Sequence, residues 1–379
     1  MSEYGGDRAG GADPVGPARR VLLIFGGRSS EHAISCISAA GVLRALQGRP
    51  YDVTAVGILP DGRWVEVPAD PASITGRLPE VTDTGDAVVL LPEPVAGHGE
   101  PGSPSALRPR ILAGVDVVFP VLHGPWGEDG TVQGLLEMAG VPYVGSGVFA
   151  SAAAMDKGHL KALLAQAGIP MSPYVVLATG EWQRDPATAR ARVEALGYPL
   201  FVKPARAGSS VGISRVAHPE ALDTAIHEAL AWDPRIVVEA AVHGGREIEC
   251  GVLADRDGVP RASACAEIVV GPQHEFYDFE AKYLDDGAEL IVPADLAPAV
   301  LARVQDMAVR CFEALTCEGL ARVDFFVVGD DVLVNEVNTM PGFTPISMYP
   351  RMWGASGVDY HELVDRLIDD ALRKGTGLR

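Results

Sequence analysis

Residues Leu320–Gly342 read LARVDFFVVGDDVLVNEVNTMPG, and this stretch decides the fold of the C-terminal part of the chain. Its apolar runs predict two strands joined by a tight turn at Gly329-Asp330-Asp331. Strand side chains alternate between the two faces of a sheet, so Arg322, Asp324 and Phe326 share one face of the first strand. The stretch therefore predicts a β-hairpin that carries charged groups on one side.

The second strand of this hairpin is predicted to present Val334, Glu336 and Asn338 on one face. With the turn centred on its middle residue, Asp324 lies opposite Glu336, and Arg322 lies opposite Asn338. Two facing carboxylates repel each other unless a cation lies between them. Two carboxylates and an amide suit Mg²⁺, with nucleotide phosphates completing its shell. The alternative is an exposed hairpin with scattered charges, which the apolar character of both strands disfavours.

A second motif, FVKPARAGSSVG, covers residues 201–212. Lys203 stands at the end of a predicted strand, a Gly/Ser turn follows, and Val211–Val216 is predicted to form the next strand. Backbone N–H groups of such a turn can hold phosphate oxygens while the lysine supplies a charge. The Walker pattern GxxxxGK[ST] is absent. An ordinary hairpin turn is the alternative, and Lys157, in Met155-Asp156-Lys157, is either a second cation or a surface lysine.

The N-terminal part opens with a buried strand at Val21–Phe25, a glycine turn and a helix that ends near Gly48, which is typical of an α/β domain. A dinucleotide-binding reading needs G-x-G-x-x-G, and the third glycine is missing. Glu31, near the start of the helix, either binds substrate or favours the helix dipole. His123, in the loop HGPWGEDGT, is either a substrate neighbour or a hydrogen-bonded loop histidine.

Composition excludes several classes of protein. The chain has 379 residues, of which 47% are hydrophobic, and a formal net charge of −19. This charge argues against nucleic acid or an anionic membrane as a partner, and no apolar run approaches the roughly 20 residues of a membrane span. The first 18 residues lack the apolar core of a signal peptide, and the five cysteines show no paired metal spacing. We expect a cytoplasmic protein with reduced thiols.

In their order along the chain, the motifs GGRSSEH, HGPWGEDG, MDK, VKPARAGSSVG, EFYDFEAKY, GLARVDFF and NEVNTMPGFTPIS resemble those of the ATP-grasp ligases, and specifically the D-alanine–D-alanine ligase family. This resemblance implies an α/β (α+β) fold class with a three-domain ATP-grasp architecture and an N-terminal parallel-sheet α/β domain. The expected divisions are a flexible tail at 1–18, a substrate domain at 19–146, a central ATP-grasp subdomain at 147–238, and a magnesium-binding domain at 239–379.

The resemblance also implies a set of functional residues. Those expected to bind ATP are Lys157, Lys203, Ser210, Glu239, Glu247, Asn335 and Glu336. Those expected to bind the amino-acid substrates are Glu31, His123, Lys282, Arg322, Gly342, Ser347 and Met348. Those expected to bind metal are Asp324, Glu336 and Asn338. Those expected to act in catalysis are Glu31, Ser209, Tyr283 and Arg322.

In the implied mechanism, Glu31 anchors the ammonium of the first D-alanine, with Ser209 and Tyr283 completing a hydrogen-bonded cluster. ATP converts the carboxylate to an acyl phosphate, because a carboxylate is a poor electrophile. The amine of the second D-alanine attacks, and Arg322 with the Gly342 N–H stabilises the oxyanion. A lid must exclude water, because acyl phosphates hydrolyse readily.

The second D-alanine is expected to place its carboxylate at Ser347 and Lys282. Two departures from the family pattern affect this transfer: small residues occupy Glu239–Glu247, and Met348 lies at a variable position. The implied cofactors are ATP and two Mg²⁺ ions, for which Mn²⁺ is expected to substitute, and a monovalent cation is compatible with the pattern. A homodimer and a role in peptidoglycan precursor synthesis are also expected.

Three alternatives remain at this point. A D-alanine–D-lactate or D-alanine–D-serine ligase is the nearest, and Tyr283 favours the dipeptide over the ester. A nicotinamide-dependent dehydrogenase is suggested only by the N-terminal strand, glycine turn and helix. A nucleotide-binding regulatory protein without catalysis is the third, and the complete set of cation, phosphate and substrate positions disfavours it.

Overall fold

Three β-sheets organise the chain in a computed structural model that describes residues 18–88, 114–271 and 288–377. Most of the predicted tail, together with Lys282 and Tyr283, lies outside these described residues. Within them, no helix combines the length and apolarity that crossing a bilayer requires. All five cysteines are buried and free.

The first sheet has the order β3-β2-β1-β4. Its strands are Arg19–Gly26 (β1), Tyr51–Ile58 (β2), Trp64–Val67 (β3) and Val117–Val121 (β4). The helices that accompany it are His32–Leu46 (α1) and Thr131–Ala139 (α2). β1 is parallel to both β2 and β4, whereas β3 runs antiparallel at the edge. The predicted parallel sheet is therefore confirmed for β2, β1 and β4, and the edge strand β3 is its one antiparallel member.

The second sheet has the order β5-β8-β6-β7. Its strands are Tyr174–Leu177 (β5), Leu200–Pro204 (β6), Ser214–Val216 (β7) and Ile236–Ala240 (β8). The surrounding helices are Val148–Met155 (α3), Lys157–Gln166 (α4), Glu181–Arg184 (α5), Pro186–Glu194 (α6) and Leu222–Leu230 (α7).

The strand predicted at Val211–Val216 begins three residues later than expected. Ser209, Ser210 and Gly212 have φ angles of 48°, 59° and 69°, which an extended strand does not allow. Residues 207–213 instead form a compact loop between β6 and β7, which we call the flap.

The third sheet is antiparallel, with the order β11-β10-β9-β12-β13. Its strands are Arg246–Ala254 (β9), Pro260–Val270 (β10), Ala288–Ile291 (β11), Leu320–Val328 (β12) and Asp331–Asn338 (β13). Three further helices are Pro298–Ala314 (α8), Met348–Ala355 (α9) and Tyr360–Lys374 (α10).

A β-bulge sets the register of the hairpin formed by β12 and β13. Asp324 pairs with Glu336 and Arg322 pairs with Asn338, as predicted. The turn, however, contains only Gly329 and the residue after it, because Val328 pairs with Asp331. A register shift after Asp324 restores the predicted pairing.

The same bulge corrects one predicted face. Val334 is 1% exposed and packs in the core, whereas Asn335 and Glu336 both face the cleft described below. The extra residue of the bulge interrupts the alternation of side chains. Val334 and Glu336 therefore lie on different faces, contrary to the prediction.

The C-terminal helix α10 packs in the same apolar core as the first sheet. Leu363, Val364, Leu367 and Ile368 are fully buried there with residues of β1 and α1. Burial of each such side chain contributes roughly 1.5–3 kcal/mol. Leu253 and Leu320 of the third sheet lie in the same core, so α10 connects the first sheet to the third.

Candidate active site

A cleft of about 660 Å³ lies between the three sheets, within the volume range of small-molecule sites. Every described residue that the sequence singled out for function lines it. These residues are Glu31, His123, Lys157, Lys203, Ser209, Ser210, Glu239, Glu247, Arg322, Asp324, Asn335, Glu336, Asn338, Gly342, Ser347 and Met348.

One wall of the cleft carries three carboxylates on neighbouring strands. Asp324 of β12 pairs with Glu336 of β13 on one side and with Glu249 of β9 on the other. Asn338 Nδ2 donates a 3.1 Å hydrogen bond to Asp324 Oδ2. Negative charge is concentrated here because three strands present acidic residues at the same level of the sheet.

Arg322 offsets part of this charge. Its guanidinium donates to both oxygens of Asp324, at 2.6 and 2.7 Å, and its Nε lies 3.3 Å from Glu249 Oε1. Burial alone would lower the pKa of Arg322, but the attraction of Asp324 and Glu249 outweighs it and holds the pKa well above its usual range. Arg322 is therefore a permanent cation at the centre of the acidic wall.

The residues of the acidic wall can form a magnesium site only if a bound nucleotide completes the coordination shell of the ion. Asp324, Glu336 and Asn338 supply oxygen atoms of the kind that Mg²⁺ prefers. Within the described ranges, no three or more His, Cys, Asp or Glu side chains are arranged to hold a metal by themselves. Phosphate oxygens of a nucleotide are the groups that would complete the shell.

The opposite wall joins the flap to the N-terminal sheet. Ser209 Oγ donates a 2.5 Å hydrogen bond to Glu31 Oε1. A methyl group added at Gly124 would lie 2.5 Å from Glu31 Oε2, and one added at Gly208 would lie 2.9 Å from it. Glycine at both positions leaves the space that the Glu31 carboxylate occupies, and Glu31 makes no capping hydrogen bond to α1. This geometry favours the substrate-binding alternative for Glu31.

Two lysines approach the cleft from the second sheet. Lys157 Nζ donates to Ala207 O at 2.7 Å, which ties the start of α4 to the flap. Lys203 Nζ donates to Glu239 Oε2 at 3.0 Å and to Asn335 Oδ1 at 3.3 Å. The bulge on β13 makes the second contact possible, because it turns Asn335 toward the cleft.

His123 lies at the cleft, but both of its ring nitrogens are already hydrogen-bonded. Nδ1 is 3.0 Å from Met340 O, so Nδ1 carries the proton, and Nε2 is 3.1 Å from Ser38 Oγ. Burial lowers the pKa of His123. The imidazole is therefore hydrogen-bonded to the loops around it, and its place near the first substrate stays a prediction.

Glu128, which the sequence analysis did not single out, connects two loops of the site. Its carboxylate accepts hydrogen bonds from Gly124 N at 2.7 Å and from Met340 N at 2.9 Å. Burial and the nearby charge of Glu31 raise the pKa of Glu128 to about 8, although both backbone donors oppose the shift. The sequence feature that could have identified Glu128 is its position in the loop motif HGPWGEDGT.

Two other charged residues near the cleft, Glu249 and Lys161, were not predicted from the sequence. Glu249 lies two residues after Glu247 on β9, so strand alternation alone places them on one face. Lys161 lies four residues after Lys157, which places both on one side of α4. Lys161 is only 1% exposed, and its Nζ is 3.2 Å from Glu239 Oε1.

Two family models match the chain: the D-ala D-ala ligase N-terminus at residues 20–146 and the D-ala D-ala ligase C-terminus at residues 163–369. Among curated proteins, the D-alanine–D-alanine ligase of Kineococcus radiotolerans is 57% identical over 96% of this chain and 99% of its own length. That of Frankia casuarinae is 57% identical over 95% of this chain and 98% of its own length.

Two solved structures are also similar to most of this chain, at lower sequence identity. The VanG D-Ala:D-Ser ligase of Enterococcus faecalis matches with a TM-score of 0.80 at 34% identity, covering 93% of this chain and 99% of its own. The D-alanine–D-alanine ligase of Coxiella burnetii matches with a TM-score of 0.74 at 34% identity, covering 94% of this chain and 95% of its own.

Proposed function

The chain belongs to the D-alanine–D-alanine ligase family, and we propose that its cleft joins two D-alanines to D-alanyl-D-alanine through a D-alanyl phosphate formed from ATP. The observation that carries this proposal is the pairing of Asp324 with Glu336 and of Arg322 with Asn338 in the same cleft as two lysines. The product serves peptidoglycan synthesis, and ATP and Mg²⁺ are the family's cofactors.

The nucleotide is proposed to lie between the second and third sheets. Lys157 and Lys203 neutralise its phosphates beneath the flap with Ser210, while Glu239 and Glu247 hold the adenosine. Mg²⁺ held by Asp324, Glu336 and Asn338 would offset charge on the transferring phosphoryl group. We expect two ions, replaceable by Mn²⁺.

The amino acids are proposed to lie between the acidic wall and the N-terminal sheet. Glu31 and Ser209 hold the ammonium of the first D-alanine, and Arg322 with the Gly342 N–H holds the oxyanion. Ser347 stands at the N-terminus of α9, where a helix favours a carboxylate, so it is proposed to bind the second D-alanine beside Met348. Lys282 and Tyr283 remain predictions, as do a homodimer, a cytoplasmic location and the domain boundaries.

A direct assay tests this function. The purified protein should release ADP and phosphate only with both D-alanine and Mg²⁺, and it should form D-alanyl-D-alanine. Release of AMP and pyrophosphate would contradict the acyl-phosphate route, and equal turnover of L-alanine would contradict the substrate assignment.

The match to a D-Ala:D-Ser ligase structure supports D-serine as an alternative second substrate. The two curated relatives at 57% identity are D-alanine–D-alanine ligases, which favours D-alanine as the second substrate. Product analysis with D-alanine, D-serine and D-lactate in competition decides between them, and a predominant dipeptide D-alanyl-D-alanine is expected.

A further inference from the structure

Glu239 is a buried carboxylate that faces two lysines, one at each oxygen. Lys203 Nζ lies 3.0 Å from Oε2, and Lys161 Nζ lies 3.2 Å from Oε1. The Glu239 side chain is 5% exposed. Burial would raise the pKa of Glu239, but the two ammonium groups outweigh it and lower the pKa below its usual value.

The two lysines differ in what else surrounds them. Lys203 lines the cleft and also contacts Asn335, so its ammonium already faces the position proposed for the nucleotide. Lys161 comes from α4, is 1% exposed, and has its Nζ 5.3 Å from the centre of the Tyr174 ring. Its Nζ makes no hydrogen bond to another described residue, so the ion pair with Glu239 is its close polar contact.

A buried carboxylate that loses its counterion is strongly destabilised unless it takes up a proton. If Lys203 leaves Glu239 to bind phosphate, a second cation must stay behind to keep Glu239 ionised. Two neighbours do not replace it: Tyr174 presents its ring to Lys161, and Glu336 is an anion that acts on Lys161.

We propose that Lys161 is a positioning residue that remains paired with Glu239 while Lys203 moves to the phosphates of ATP. Lys161 thereby keeps Glu239 as an ionised acceptor for the amino group of adenine, and it frees Lys203 at little electrostatic cost. This inference rests on the proposed nucleotide-binding roles of Lys203 and Glu239.

The test compares two variants that each remove one lysine from the same carboxylate. Binding of the non-hydrolysable nucleotide AMP-PNP with Mg²⁺ is measured by calorimetry between pH 7 and 8.5, in buffers with different ionisation enthalpies. Lys161→Met should take up as much as one more proton per nucleotide than the wild type, and its affinity should fall up to about tenfold for each pH unit. Lys203→Met should bind weakly with no such extra uptake, because Lys161 stays with Glu239.

A third variant removes the carboxylate that needs the counterion. In a Glu239→Gln background, Lys161→Met should no longer change proton uptake, and it should alter AMP-PNP affinity by less than about twofold, as expected for uncoupled sites. This double variant also keeps the proposal testable if Lys161→Met alone fails to fold.

Equal proton uptake by folded Lys161→Met and wild type would overturn the role of Lys161, as would equal behaviour of the two lysine variants. Failure of the wild type to bind AMP-PNP, or to form D-alanyl-D-alanine, would instead contradict the proposed function itself. The two failures are therefore distinguishable.

Discussion

Arg322 holds Asp324 through two hydrogen bonds, of 2.6 and 2.7 Å, between residues two apart on the same strand. The proposed oxyanion donor is thus hydrogen-bonded to a proposed metal ligand. Both oxygens of Asp324 face the guanidinium, so a Mg²⁺ ion held by Asp324 would compete with Arg322 for the carboxylate or share it. This relationship gives the first prediction.

Arg322→Ala should lower kcat about 10²–10³-fold, the effect of losing one oxyanion donor. It should also lower the Mg²⁺ concentration needed for half-maximal nucleotide binding, because Asp324 and Glu249 lose their cation. Arg303→Ala is the matched control, since Arg303 donates to Asp330 O at the turn of the same hairpin, away from the cleft. Normal turnover in folded Arg322→Ala would leave that arginine a structural role only.

Ser209→Ala should raise the KM for the first D-alanine and lower kcat/KM about 10- to 100-fold. The hydroxyl bonded to the Glu31 carboxylate is lost, and a hydrogen bond to a charged group contributes about 1.5–3 kcal/mol. Ser214→Ala, which removes an exposed hydrogen bond to Glu228 just beyond the flap, should leave steady-state kinetics nearly unchanged. Equal losses of kcat/KM in the two serine variants would show that the effect does not come from the hydrogen bond between Ser209 and Glu31.

Gly124→Ala should weaken D-alanine binding by about tenfold or more. The new methyl group would lie 2.5 Å from Glu31 Oε2, so it would displace the carboxylate that accepts the hydrogen bond from Ser209. Gly168→Ala is the matched control: its φ of 69° is close to the 74° of Gly124, but no atom lies within 4 Å of the added carbon. Both variants should lose similar stability, about 1–2 kcal/mol from the left-handed backbone. Unchanged KM values in Gly124→Ala would contradict the placement of Glu31.

Glu128→Gln should become more stable relative to the wild type as pH rises from 5 to 8. The folded protein keeps a proton on Glu128 up to about pH 8, whereas the unfolded chain releases it near pH 4.5. The unfolded state then binds fewer protons than the folded state, so wild-type stability falls across this window, by up to about 1.4 kcal/mol per pH unit.

Urea unfolding of both proteins at several pH values measures this difference. Glu66→Gln, at an exposed position, controls for the loss of one negative charge. Parallel pH profiles of Glu128→Gln and the wild type would show that Glu128 is ionised throughout the window.

The sequence by itself determined the elements and their chemistry wherever a local period decides them. Side chains alternate along any strand, so the sequence alone shows that Arg322 and Asp324 share one face of β12. The strand, glycine turn and helix around Glu31 follow from equally local rules, and so does the Gly/Ser loop after Lys203.

Only the tertiary structure decided the rest. The turn is one residue shorter than predicted, and the bulge that compensates depends on packing of Val334 in the core while Asn335 meets Lys203. Partners of Glu31, Glu128 and Glu239 include Ser209, Met340 and Lys161, which lie far away in the chain. Ser209, for example, lies 178 residues from Glu31. A buried charge is stable only beside a specific counter-charge or donor, and the packing of distant elements, which no local period encodes, selects that partner.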